Sequence, residues 1–126
     1  MRLDAVGIVA KNLKESVRFY SLLDLNFGDL KDDDDHVEAK LPSGLRVMID
    51  SEALIRQINP DWIAPQGQRM ALAFLCPAPR DVDAAFRLIR DAGFRAHKEP
   101  WDAFWGQRYC SVLDPDGNFV DLFAPL

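Results

Sequence analysis

A chain of 126 residues that is 48% hydrophobic and 28% charged can bury a sizeable core, and its 7 glycines and 8 prolines exclude a fibrous or low-complexity polypeptide. Fifteen Lys and Arg against twenty Asp and Glu leave a net charge of -5, which argues against nucleic acid as a partner. The apolar run Met70 to Cys76 is too short to span a bilayer and Met1-Arg2-Leu3-Asp4 carries no signal-type hydrophobic region, so a cytoplasmic protein without a membrane partner is expected.

Val6, Ile8 and Val9 suggest a first strand. Asn12 then offers an N-cap, with Glu15 placed to complete a capping box. Leu13, Val17, Tyr20 and Leu23 form an apolar helical stripe that ends near Asp24. Beyond it the pattern shortens to alternation, predicting strands at 27–30, 37–41 and 45–50, with Pro42-Ser43-Gly44 as a turn. The acidic run Asp32 to Asp35 falls at a bend and lacks the ligand alternation and Gly of a calcium loop. Residues 51–69, interrupted by Pro60, Pro65 and Gly67, read as an irregular connection.

The same order then recurs. Met70 to Cys76 reads as a strand, and Asp81 as the cap of a helix in which Val82, Ala85, Phe86, Ile89 and Ala92 share a face before Gly93 stops it. Strands at 94–97, 107–113 and 118–123 complete the chain. Strand starts Ala5 and Ala71 are offset by 66 residues and helix starts Asn12 and Asp81 by 69, with Pro77-Ala78-Pro79-Arg80 as the insertion. Self-similarity of this kind predicts one α+β domain over 1–126, built from two β-α-β-β-β modules. Module one spans 1–50, the connection 51–69 and module two 70–126. Cys76 and Cys110 lie in apolar surroundings without a C-x-x-C pattern and read as two buried thiols.

Two segments carry a family resemblance. Leu3 to Phe27, with Phe19-Tyr20 ahead of Leu22-Leu23-Asp24-Leu25, resembles the opening of vicinal-oxygen-chelate proteins, the superfamily of glyoxalases, bleomycin-resistance proteins and extradiol dioxygenases. Asp114-Pro115-Asp116-Gly117-Asn118, followed by the alternating Phe119-Val120-Asp121-Leu122-Phe123, resembles its final hairpin. The turn has its own physical logic: Pro115 pre-sets φ, Gly117 takes positive φ, and Asp114, Asp116 and Asn118 bond local amides. The resemblance implies antiparallel-rich sheets curling around a cleft, and commonly a homodimer.

In metal-using relatives a divalent ion is held by side chains from the first and last strand of each module. The corresponding positions here fall on Ala5, Met48, Ala71 and Asp121, of which only Asp121 offers a suitable oxygen. A register slip would bring in Asp4 or Asp50, but no His. His36 and His97 match no ligand position and read as exposed or satisfied histidines, and no serine lies in a nucleophile motif. No metal and no cofactor are therefore expected.

The segment from Pro100 to Tyr109 places Trp101, Phe104, Trp105 and Tyr109 within ten residues, beside Asp102, Gln107 and Arg108. Large rings with polar neighbours suit a concave site for a flat or apolar ligand. Bleomycin-resistance-like members border a drug-binding crevice with a Trp-Gly segment here, which implies ligand contact by Trp101 or Trp105. Phe104 is expected to staple the loop to the domain edge, and Trp62 is a weaker candidate for contact. Period-two alternation puts Phe119, Asp121 and Phe123 on one face of the last strand, with Asp121 needing Arg46, Arg108 or a cationic ligand as partner.

The candidate ligand-binding set is Met48, Trp101, Trp105, Arg108, Tyr109, Phe119, Asp121 and Phe123. The reading this favours is a metal-independent protein of the bleomycin-resistance type that sequesters an aromatic or cationic small molecule without transforming it. The alternative is a glyoxalase-like lyase, isomerase or dioxygenase with an unorthodox metal site or with Asp121 as general base.

Overall fold

A computed structural model describes all residues, 1–126. The chain divides into two compact units, Met1–Gln66 and Gly67–Leu126. The first contains β1 (Ala5–Ala10), α1 (Leu13–Ser21), β2 (His36–Lys40), β3 (Arg46–Ser51) and α2 (Glu52–Ile58). The second contains β4 (Ala71–Leu75), α3 (Pro79–Asp91), β5 (Arg95–Ala103), β6 (Gln107–Leu113) and β7 (Phe119–Pro125). The class is α+β, and both sheets are mixed and open.

In the first unit the strand order is β1-β3-β2, with β1 parallel and β2 antiparallel to β3. Ile8, Ala10, Val37, Ala39, Val47 and Ile49 are buried, as are Phe19 and Tyr20 of α1, whose rings meet edge to face at 4.9 Å. Burial of each large apolar side chain contributes about 1.5–3 kcal/mol, which is what seats a nine-residue helix that would be marginal alone. Asn12 caps α1 by accepting from the Glu15 amide at 3.2 Å. The Glu15 carboxylate takes Arg18 instead of closing a capping box.

Two further expectations fail in this unit. No strand forms at 27–30, because the Asn26 side chain captures the Gly28 amide at 2.9 Å and Gly28 adopts φ +72, both of which turn the backbone out of extension. Residues 52–58 are helical rather than irregular. Ser51 accepts from the Leu54 amide at 3.1 Å and Arg56 reaches back to Glu52 at 3.1 Å, so a cap and an i,i+4 pair start α2 ahead of the breakers.

In the second unit the order is β4-β7-β6-β5, with β4 parallel to β7 and the rest antiparallel. α3 packs on β5, β6 and β7, burying Val82, Phe86 and Ile89 against Cys110, Val112, Val120, Leu122 and Ala124. The helix begins at Pro79 rather than at Asp81. Ala78 holds the cap position without a side-chain bond, Pro79 supplies a pre-set φ, and Asp81 lies in the first turn as a favourable charge. Gly93, at φ +94, ends the motif as expected.

The β6–β7 turn has the predicted chemistry. Asp114, 1% exposed, accepts from the Asp116 amide at 2.9 Å, the Asn118 amide at 2.9 Å and Asn118 Nδ2 at 2.8 Å, while Gly117 sits at φ +86. No helix is long and apolar enough to cross a membrane.

Candidate functional site on the second sheet

Strand register decides which side chains meet. β6 and β7 place Tyr109 opposite Phe123, Ser111 opposite Asp121 and Leu113 opposite Phe119, while β5 brings Trp101 beside Tyr109 and Lys98 beside Ser111. On the other edge, β4 sets Ala71, Ala73 and Leu75 beside Phe119, Asp121 and Phe123. Since side chains alternate, all of these share the face turned away from α3. β5 bulges between Ala96 and Lys98 and between Lys98 and Trp101, which re-aims its side chains without breaking the pairing.

The β5–β6 hairpin carries the rings. Trp101 lies on the strand, Phe104 and Trp105 occupy the turn, and Gly106 at φ +91 closes it. Trp105 stands edge to face with Trp101 at 5.4 Å, with Phe104 at 4.9 Å and with Tyr109 at 5.2 Å, so it joins the cluster at its centre. Its indole nitrogen donates to Gln107 Oε1 at 2.7 Å. The buried indole N–H of Trp101 has no oxygen or nitrogen acceptor, and the Lys98 ammonium lies 4.5 Å from the centre of the Trp101 ring. Phe104 does not staple the loop: it is 91% exposed and touches only the edge of the cluster, because the hairpin tip projects it outward.

Beside the rings lies Asp121. Tyr109 Oη donates to its Oδ2 at 2.5 Å and Ser111 Oγ to its Oδ1 at 2.5 Å. Burial first, and the Asp121 bond second, push the Tyr109 phenol up to about 12, so its proton stays in place to donate. The arginine of this unit named as a partner, Arg108, does not reach Asp121. Arg108 lies on the opposite face by strand alternation and pairs with Asp83 of α3 at 2.9 Å and with Asp102 at 3.1 Å. Arg46 pairs with Asp4 and Glu38, each at 2.8 Å.

Of the expected set, Trp101, Trp105, Tyr109, Phe119, Asp121 and Phe123 thus share one face, and Arg108 does not. Met48 belongs to the first unit, where Arg46 Nη1 lies 3.6 Å from its sulfur. Trp62, also in the first unit, has its ring covered by the Arg56 guanidinium at 4.9 Å. Ser111 and Lys98 join this face from outside the expected set, although the parity that pairs Ser111 with Tyr109 is legible in the sequence. His97 stacks on Phe119 at 4.7 Å.

A groove of about 240 Å³, lined by Asp83, Phe86, Arg87, Arg90, Glu99 and Pro100, lies between α3 and β5. It shares no residue with the aromatic cluster. In the first unit, His36 bridges two carboxylates, with Nδ1 2.5 Å from Asp50 and Nε2 3.1 Å from Glu38. These bonds, led by that to Asp50, raise the imidazole above its ordinary 6.5.

The family model for the glyoxalase/bleomycin resistance protein/dioxygenase superfamily matches residues 2–122. The chain belongs to this superfamily. Among solved structures, a glyoxalase-related enzyme from Fulvimarina pelagi is similar at TM-score 0.84 and 17% identity, over 98% of this chain and 87% of that one. A superfamily enzyme from Burkholderia phytofirmans PsJN is similar at TM-score 0.82 and 15% identity, over the whole of both chains. A protein of unknown function from Agrobacterium tumefaciens str. C58 is similar at TM-score 0.74 and 26% identity, over 100% of this chain and 95% of that one. No curated protein matches.

The donor set does not fit the superfamily's divalent ion. Ala5 and Ala71 end in methyl groups, Met48 offers a thioether, and no group of three or more His, Cys, Asp and Glu side chains is arranged to hold a metal. Asp4 and Asp50, the residues a register slip would add, are committed to Arg46 and His36. What remains is a carboxylate with two hydroxyl donors, bordered by rings.

Proposed function

We propose that this superfamily member is a metal-independent small-molecule-binding protein. It holds an aromatic or cationic compound on the α3-distal face of the second sheet and does not transform it. The observation that carries this reading is the cluster of Trp101, Trp105 and Tyr109 on the same face as Phe119, Asp121 and Phe123. Trp105 is 47% exposed, and aromatic area left in contact with water at a sheet face is a favourable surface for a planar ligand.

Titration of intrinsic tryptophan fluorescence against a panel of planar aromatic compounds, neutral and cationic, tests the reading. Saturable quenching by at least one compound, lost on Trp105→Ala, is the expected result. A panel without any response would overturn it.

A further inference from the structure

Every hydroxyl hydrogen near Asp121 is already spent. Tyr109 and Ser111 each direct their single O–H at one carboxylate oxygen, at 2.5 Å in both cases. What the three side chains still present is lone pairs only: those left on Oδ1 and Oδ2, and those on the two hydroxyl oxygens. The cluster is therefore an acceptor surface with a negative charge at its centre and no protein cation paired to it. Ala73 of β4, the register partner of Asp121, ends at Cβ and is exposed.

The π face of Trp101 already carries a cation, since Lys98 sits over it. A second cation is drawn to the carboxylate of Asp121, and what meets it there is acceptors. Resting on the binding reading above, we infer that the site selects a cation carrying several N–H donors, an amidinium, guanidinium or primary ammonium on an aromatic scaffold, and discriminates against quaternary ammonium compounds. The N–H groups bond Asp121 and the Tyr109 and Ser111 oxygens while the scaffold lies along Trp105 and Phe123. A quaternary ammonium has the same charge and nothing to donate.

Three probes of similar size separate the possibilities: benzamidinium, benzyltrimethylammonium and neutral benzyl alcohol, each titrated into the intact protein and followed by tryptophan fluorescence. Benzamidinium is expected to bind about tenfold or more tighter than benzyltrimethylammonium, a charge-assisted hydrogen bond's worth of preference. Asp121→Asn, which keeps the volume, should erase the preference, and Ser111→Ala, which removes one acceptor oxygen, should reduce it. Equal or tighter binding of benzyltrimethylammonium overturns the donor inference while leaving the binding reading intact, as does binding of benzyl alcohol alone. Preference that survives Asp121→Asn also overturns it. If none of these probes and no member of the aromatic panel binds, both fall.

Discussion

Tyr109 and Asp121 lie on neighbouring antiparallel strands, and the phenol donates to the carboxylate at 2.5 Å. The bond helps push the phenol up to about 12 from 10.0, after the larger effect of burial. With the folded value above the unfolded one, the folded state keeps a proton that the unfolded chain gives up. Stability from this group is complete below pH 10 and disappears as pH rises toward about 12. In Asp121→Asn the burial remains and the charged acceptor goes, so the Tyr109 midpoint, followed by ring carbon NMR, should fall below about 12 and stay above 10. A midpoint that Asp121→Asn leaves unmoved would mean the bond is not made in solution.

His36 gives a second titration with the same sign. Its imidazolium is held first by Asp50 and then by Glu38, against a desolvation cost, so its folded value lies above 6.5. Its stabilisation is full below pH 6.5 and fades as pH rises through the folded midpoint. Asp50→Asn should lower the His36 midpoint more than Glu38→Gln does. The stability advantage of the wild type over His36→Gln should shrink with rising pH in urea titrations, and an advantage that grows would contradict the bridge.

Asp114 tests the hairpin. Its carboxylate is buried and bonds two amides and the Asn118 side chain, so Asp114→Ala leaves those donors without it. A loss of about 2–4 kcal/mol in urea unfolding is expected. A loss under about 0.5 kcal/mol would show that water replaces these bonds freely.

Arg108 separates the two faces of the sheet. Its pairs with Asp83 and Asp102 are partly exposed and screened, so Arg108→Ala should cost about 1 kcal/mol of stability. Affinity for any ligand of the aromatic face should be unchanged, measured by the same fluorescence titration. A large loss of affinity in a well-folded variant would place the ligand on the α3 side.

Much of this was legible from the chain because period-two alternation and turn chemistry are local. β6 spans the expected 107–113, the D-P-D-G-N turn forms as read, and Phe119, Asp121 and Phe123 share a face. The failures have local causes too. Gly28 falls in a run whose alternation suggests extension, although Asn26 ahead of it is a turn former. α2 was masked by the prolines and glycine that follow it, despite Ser51 and the Glu52–Arg56 pair. Arg108 is near the aromatic residues in sequence, but strand parity puts it with Cys110 on the α3 face. The partner of Asp121 was not legible, because a carboxylate satisfied by hydroxyls looks in sequence like one awaiting a cation.

The most direct test is a nitrogen-edited NMR titration of the intact protein with benzamidinium. Saturable shifts are expected for the indole N–H signals of Trp101 and Trp105 and for the amides of Tyr109, Ser111 and Asp121. If those signals stay fixed while the amides of Arg87, Arg90 and Glu99 in the α3 groove move, the ligand lies on the opposite face and the aromatic site is contradicted.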